Sequence, residues 1–269
     1  MRKVIQVHVK NASVVKGVRY EGLNSLCKPA DLLRLYCHTF EDVEIVVNDV
    51  VASLLGRNGC FELLELLRNE SSFPVTYQGG IRTFQDIDQA LSAGADRIAI
   101  NSHIYKDLDF CREAIQYYGS STLVASVDYQ RLQNPESCRL RSDYGREPES
   151  VLLLDHLLSI KDIGFGEVIL GCINRDGTGS GYDTHILDFC NDINIPILLS
   201  GGCSSINDLS QMINLKPPFN GCVFSSIAHY LAVQSLPDPS DGNQMVRKLP
   251  FKNLDEFTIA SFANAISKL

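Results

Sequence analysis

Long apolar runs, a basic excess and closely spaced metal ligands are all missing from this chain of 269 residues. The longest uninterrupted apolar stretches, such as Ile195 to Leu199, are far too short to span a bilayer. The N-terminus, Met1-Arg2-Lys3-Val4-Ile5-Gln6, soon turns polar and carries no apolar core of an export signal. Basic side chains number 24 against 32 acidic ones, a net charge of −8 with a pI near 5.2. That balance argues against a broad basic surface for nucleic acid or anionic lipid, but leaves a local anion site open. The nine cysteines are odd in number, scattered and without a CxxC pair, so neither a disulfide framework nor a zinc site is expected. They read as reduced, mostly buried thiols. The six histidines show no HxxxH or HExxH spacing, and no metal or cofactor is expected. The expected protein is cytoplasmic, with neither nucleic acid nor membrane as a partner.

What is present is 45% apolar residues, enough for a packed core, so wholesale disorder is excluded. Short β-branched runs alternate with amphipathic stretches. Strands are predicted over Val4–Val9, Val43–Asn48, Pro74–Tyr77, Arg97–Ile100, Thr122–Val127, Glu167–Leu170, Ile195–Leu199 and Cys222–Phe224. Helices are predicted over Ala30–Phe40, Cys60–Asn69, Phe84–Ser92, Asp109–Tyr118, Ser150–Ile163, Thr184–Asn191, Ile206–Ile213 and Leu254–Ser267. Apolar runs bounded by Gly and Pro suit buried parallel strands. Eight βα units in this length predict an α/β fold, a (β/α)8 TIM barrel filling residues 1–269 as one domain. A doubly wound sheet is the alternative arrangement of the same units. A segment rich in Pro, Asp and Ser, about 233–251, reads as a surface insertion before the last helix.

An internal repeat favours the barrel. Phe73 to Gly80 echoes Ile195 to Gly202, with an offset of 122 at both the proline and the glycine pair, and Asp86 recurs as Asp208. Glu44-Ile45-Val46 echoes Glu167-Val168-Ile169, and Ser102 aligns with Ser226. Recurrent strand-loop-helix grammar explains one echo but not an ordered series. Two half-barrels, about 1–120 and 121–269, are expected.

Candidate chemistry follows from the same register. Gly79-Gly80 and Gly201-Gly202 each follow a strand and precede a helix, where glycine admits a ligand to the backbone and helix N-terminal amides favour anions. A tight turn alone would also explain either pair. Two such places at symmetric positions suggest a ligand with a phosphate at each end. Asp176-Gly177-Thr178 frames the second place, the aspartate binding a hydroxyl or capping a turn. His8 and Asp128 fall at matching strand ends on opposite sides of the mouth, and both residue types transfer protons. Asp49 ends the second strand as an orienting carboxylate.

Val14-Val15-Lys16-Gly17, Gly79-Gly80-Ile81-Arg82, Ala99-Ile100-Asn101-Ser102, Arg175-Asp176-Gly177-Thr178, Gly181-Tyr182-Asp183 and Ser200-Gly201-Gly202 occur in order. The chain therefore resembles the cyclase subunits of imidazole glycerol phosphate synthase over nearly its whole length. The resemblance implies a barrel that takes ammonia from a glutaminase subunit in a heterodimer. The implied reaction cyclises and cleaves a bisphosphorylated substrate into imidazole glycerol phosphate and an aminoimidazole carboxamide ribotide.

By the same resemblance, Asp128 is the catalytic aspartate of the fifth strand, and its partner on the first strand is His8, where the family has a carboxylate. Gly80, Asn101 and Ser102 line one phosphate site; Asp176, Gly177, Gly202, Ser225 and Ser226 line the other. Lys16 closes over the ligand from a mobile loop, and Asp49 assists. Arg2, Glu44, Arg97 and Glu167 form a charged gate on the N-terminal face, with Asp96 at the docking surface; a solvated barrel bottom is the plainer explanation of these charges. Gln78 replaces a small residue and Asn174 an acidic one, and 131–146 matches the family's hairpin insertion. Two alternatives remain: an ammonia-channelling barrel for amidation of a surface-polysaccharide sugar, and a non-catalytic scaffold that activates a glutaminase.

Overall fold

The computed structural model describes residues 1–57, 59–132, 137–190, 193–236 and 257–269. Eight strands close into a parallel barrel. In chain order the strands are β1 (Arg2–Lys10), β2 (Ser13–Val18), β3 (Glu21–Cys27), β4 (Glu44–Asp49), β5 (Val75–Gln78), β6 (Arg97–Ile100), β7 (Leu123–Arg131), β8 (Cys138–Ser142), β9 (Glu147–Pro148), β10 (Glu167–Cys172), β11 (Ile197–Ser200) and β12 (Phe219–Phe224). The barrel runs β1-β4-β5-β6-β7-β10-β11-β12 and returns to β1; the β10–β7 and β12–β1 pairings leave no open edge. The expected (β/α)8 barrel is the observed fold.

The helices are α1 (Pro29–Thr39), α2 (Ala52–Leu55), α3 (Glu62–Glu70), α4 (Phe84–Ala93), α5 (Leu108–Tyr118), α6 (Leu153–Ile163), α7 (Ile206–Met212), α8 (Ser226–Val233) and α9 (Ile259–Ser267). Their apolar faces pack on outward-facing strand residues; Leu32, Leu33 and Tyr36 of α1 are wholly buried there. Each such aliphatic side chain contributes roughly 1.5–3 kcal/mol by leaving water. The repeated aspartates have a local cause. Asp86 and Asp208 are the third residues of α4 and α7, closing capping boxes with Thr83 and Ser205.

Some expectations need correction. Thr184–Asn191 was expected to be an α-helix, but Thr184–Phe189 is a 3-10 helix. No expectation covers helix α8 or the hairpin β2–β3, whereas the expected hairpin insertion over 131–146 contains β8 and the turn into β9. The last helix begins at Ile259. Of the 233–251 segment, Val233 ends α8, and residues 237–251 lie outside the described residues.

Alternation along the strands stacks layers inside the barrel, because side chains two apart share a face. At the N-terminal face Arg2 donates to Glu44 at 2.6 Å and also to Glu167; Arg97 lies 3.6 Å from Glu44 and 3.5 Å from Glu167. Above this ring an apolar layer holds Val4, Val46, Ala99, Val124, Ile169, Leu198 and Val223. A polar bridge lies above that: Gln6 Nε2 donates to Gln78 Oε1 (3.3 Å), and Gln78 Nε2 donates to Ser126 Oγ (3.0 Å). His8 and Asp128 occupy the next positions along β1 and β7, at the C-terminal mouth.

Candidate active site

Asp128 is buried, and both its oxygens accept. Tyr20 Oη donates to Oδ1 at 2.8 Å, and Asn101 Nδ2 donates to Oδ2 at 3.1 Å while also reaching Ser126 O at 2.9 Å. Burial pushes this carboxyl up to about 7; the Tyr20 bond works against that, and Asp176 adds repulsion. The facing position on β10 is Gly171, where a Cβ would stand 2.4 Å from Asp128 Oδ1; only glycine leaves room. A carboxyl poised near neutrality can both give and accept a proton.

His8 is equally buried but oppositely tuned. Burial, then the Lys16 ammonium, then His229 hold its imidazole well below the usual histidine range. Its Nδ1 lies 3.5 Å from Lys16 Nζ and 3.4 Å from Tyr144 Oη. It is neutral at pH 7, a base rather than an acid.

Lys16, expected on a mobile loop, instead lies in strand β2 with its side chain fully buried, paired to Asp176 at 2.7 Å. The hairpin supplies the reason. β2 pairs with β1 and β3, so the segment after β1 is a folded ribbon lying across the mouth. Asp176 keeps its other oxygen, Oδ2, buried and without a hydrogen-bond partner.

The structure gathers the remaining candidates into two groups. Gly80, Asn101 and Ser102 line one small pocket together with Asp49, Gln78 and Tyr144. Asp176, Gly177, Gly202, Ser225 and Ser226 line another, beside Gln6. In the second, the Ser225 hydroxyl is buried without a partner at the start of α8, where backbone amides also point outward. The cavities measure about 40 and 10 Å³. Asp49 is held in place by Arg57 at 3.0 Å and caps the Val51 amide at 3.2 Å; burial raises its pKa. Asp96 accepts from the Val75 amide at 2.8 Å near the charged ring. Asn174 hydrogen-bonds both backbone groups of Arg131, at 2.6 and 3.2 Å, and so ties the end of β7 to the loop after β10.

Two tyrosines escaped the sequence reading. Tyr20 and Tyr144 stack with ring centroids 4.4 Å apart and planes 13° from parallel. Tyr20 comes from the hairpin after β1 and holds Asp128 of β7; Tyr144 comes from the hairpin after β7 and abuts His8 of β1. Each hairpin thus reaches across the mouth to the other strand's acid or base. Arg19 and Tyr20 both have positive φ, 56° and 64°, as do Asp143 and Tyr144, 47° and 57°. Non-glycine residues in that region carry strain of roughly 1–3 kcal/mol each, and persist where surrounding contacts over-determine them. The hairpins are also fastened to the pockets: Arg19 N donates to Asp176 O at 2.9 Å, and Asp143 N donates to Ser102 Oγ at 3.0 Å.

Comparison with known proteins bears on this mouth. A family model described as "Histidine biosynthesis protein" matches residues 4–234. The chain belongs to this family. Its relatives include the "Imidazole glycerol phosphate synthase subunit HisF" of Lactococcus lactis subsp. cremoris strain SK11, 32% identical over 223 residues, covering 82% of this chain and 85% of the relative. The same subunit from subsp. cremoris strain MG1363 is 33% identical and that from subsp. lactis strain IL1403 is 32% identical, with the same coverage. The chain is a HisF-like member. Among the described residues no helix is long and apolar enough to cross a membrane, and no group of three or more His, Cys, Asp or Glu is arranged to hold a metal.

Proposed function

We propose that this barrel is the ammonia-using cyclase and lyase subunit of an imidazole glycerol phosphate synthase. It takes ammonia from a glutaminase bound at the N-terminal face, in a cytoplasmic heterodimer that needs no metal or cofactor. Ammonia passes the ring of Arg2, Glu44, Arg97 and Glu167, with Asp96 at the docking surface, and travels the barrel axis. The bisphosphorylated ribulosyl aminoimidazole substrate lies across the mouth. One phosphate meets Gly80, Asn101 and Ser102; the other meets Asp176, Gly177, Gly202, Ser225 and Ser226. Asp128 exchanges protons with the substrate, His8 serves as base, Asp49 orients and Lys16 neutralises. The products are imidazole glycerol phosphate and the aminoimidazole carboxamide ribotide.

One observation carries this reading: a buried carboxyl near neutrality, in the middle of the mouth of a HisF-like barrel. The small volume of both pockets means that the stacked tyrosines must part before a two-phosphate substrate settles. Losing a positioned acid or base costs about 10²–10⁴ in rate. The test supplies the family substrate with ammonium salt, which bypasses any glutaminase. Native protein is expected to turn over, His8→Asp to alter the rate and Asp128→Asn to lower it by about 10²–10⁴. Full activity in Asp128→Asn would overturn the assignment.

A second reading keeps the ammonia route and changes the acceptor, for instance to a surface-polysaccharide sugar. The bridge of Gln6, Gln78 and Ser126 favours it, because these carboxamides project beneath the mouth where a differently shaped acceptor would sit. Native inactivity with rescue by His8→Asp is the outcome that selects it.

A further inference from the structure

Above the stacked tyrosines, on the outer side of the mouth, the two hairpins enclose a cleft of about 1010 Å³. One wall carries Lys10 and Arg19, the other Arg141 and Arg146; Glu21 is the one carboxylate among the lining residues. None of the four cations forms an ion pair among the described residues. Arg141 donates to the neutral Gln130 Oε1 at 2.8 Å, and its Nε is buried with no partner at all. Arg146 reaches only a backbone carbonyl, Asp143 O, at 3.4 Å.

A chain with net charge −8 has carboxylates to spare, so four unpaired cations gathered in one concavity call for a physical reason. Like charges facing each other across a cleft repel, and the field between low-dielectric walls concentrates anions there. Arginine's planar fork suits phosphate oxygens, two bonds at a time. Because cations stand on both walls, one phosphate satisfies one wall only, whereas adjacent phosphates engage both. The volume exceeds that of a diphosphate and lies at the upper end of small-ligand sites. The amide side chain of Gln130, also on the lining, offers a polar contact for a base or sugar.

We infer that this outer cleft is a binding site for a small polyanion with adjacent phosphates, of the nucleoside-diphosphate type, separate from the two pockets beneath the tyrosines. It does not rest on the reaction proposed above. Tyr20 and Tyr144 line the cleft and also form the clasp over Asp128 and His8, so a ligand here bears directly on the state of the mouth.

The experiment is calorimetric titration of the protein with ADP, inorganic pyrophosphate, inorganic phosphate and fructose 1,6-bisphosphate, with no ammonium or reaction substrate present. A barrel without cyclase activity can therefore still pass. ADP and pyrophosphate are expected to bind at least tenfold tighter than phosphate and than the sugar with separated phosphates. The exposed double variant Arg19→Gln/Arg146→Gln is expected to keep its circular dichroism and unfolding midpoint and to lose tenfold or more in ADP affinity. Loss below tenfold in a folded variant would overturn the site. Equal or tighter binding of fructose 1,6-bisphosphate would overturn the adjacent-phosphate assignment, and equal competition by poly-glutamate would reduce the cleft to a general anion surface.

Discussion

Replacing Asp128 with asparagine probes the electrostatics of the mouth while keeping its shape. The carboxyl sits at about 7 when folded, against 3.8 as its ordinary value, with burial the principal cause. Between those two values the folded protein holds a proton that the unfolded chain has released. Stability therefore falls as pH rises through that window and levels off above the folded value. At about 1.4 kcal/mol per unit, the cost is on the order of 1–2 kcal/mol at about pH 5 and on the order of 4 kcal/mol at about pH 8. Asp128 is only 7% exposed, so solvent screening removes little of this. Asparagine is neutral at both pH values and keeps both contacts, accepting from Asn101 and donating to the Tyr20 oxygen. Urea unfolding at the two pH values is expected to show the variant gaining on the native protein by about 3 kcal/mol between them. A difference that stays constant to within about 0.5 kcal/mol would refute the claim that burial raises this carboxyl.

Three further substitutions have definite expected outcomes. Lys16→Met strips the buried Asp176 of its 2.7 Å partner and should cost about 3–5 kcal/mol, and NMR titration should find His8 closer to 6.5 because the ammonium that depresses it is gone. An unmoved His8 would refute the coupling. Gly202→Ala places a Cβ 2.0 Å from Gly181 O at a φ of +104°, so roughly 1–3 kcal/mol of stability and sulfate binding at the second pocket should be lost together. Arg97→Glu sets a third carboxylate beside Glu44 and Glu167; glutamine-driven turnover with a glutaminase partner should fall while ammonium-driven turnover persists, and equal losses in both would count against a gate.

The eight barrel strands and most helices were legible because buried parallel strands and amphipathic helices leave different periods in the sequence. Arg97–Ile100 matches to the residue. The pocket residues were legible too, since a repeated glycine pair and a serine after a strand mark the C-terminal rim. What could not be read is what depends on one hairpin meeting another. Tyr20 follows Arg19 without glycine or asparagine, so nothing local announces a two-residue turn with both φ positive. The stacking of Tyr20 on Tyr144 joins residues 124 positions apart through two separate loops, and no periodicity encodes such a meeting. Lys16 was misread for the same reason. The run Ser13–Val18 shows no apolar–polar alternation that would declare a strand, and the partner of Lys16, Asp176, lies in the opposite half of the chain.

On the proposed cyclase reading, histidine rather than a carboxylate at position 8 changes the charge of the mouth more than its size. The buried charged or titratable groups include Lys16, Asp176, His8 and Asp128, with Asp49 paired to Arg57 at the edge. With His8 neutral, Lys16 and Asp176 cancel, and Asp128 near 7 carries only part of a charge at neutral pH. A second carboxylate in place of the imidazole would compete with Asp176 for the one ammonium and leave the chamber more negative, an unfavourable place for a ligand bearing phosphates. Histidine avoids that repulsion. It also limits the chemistry of this position, because an imidazole held well below its ordinary range has almost no protonated form to donate. On the proposed reaction, proton return is assigned to Asp128, whose two forms coexist near neutrality. The hydrogen bond from Tyr20 acts on that same group, since it favours the ionised form and is lost when the clasp opens. Opening the hairpins would remove that bond and also admit water; because burial is the larger cause, the net effect is to lower the proton affinity of Asp128, so it is the closed clasp that keeps this acid protonated near neutrality.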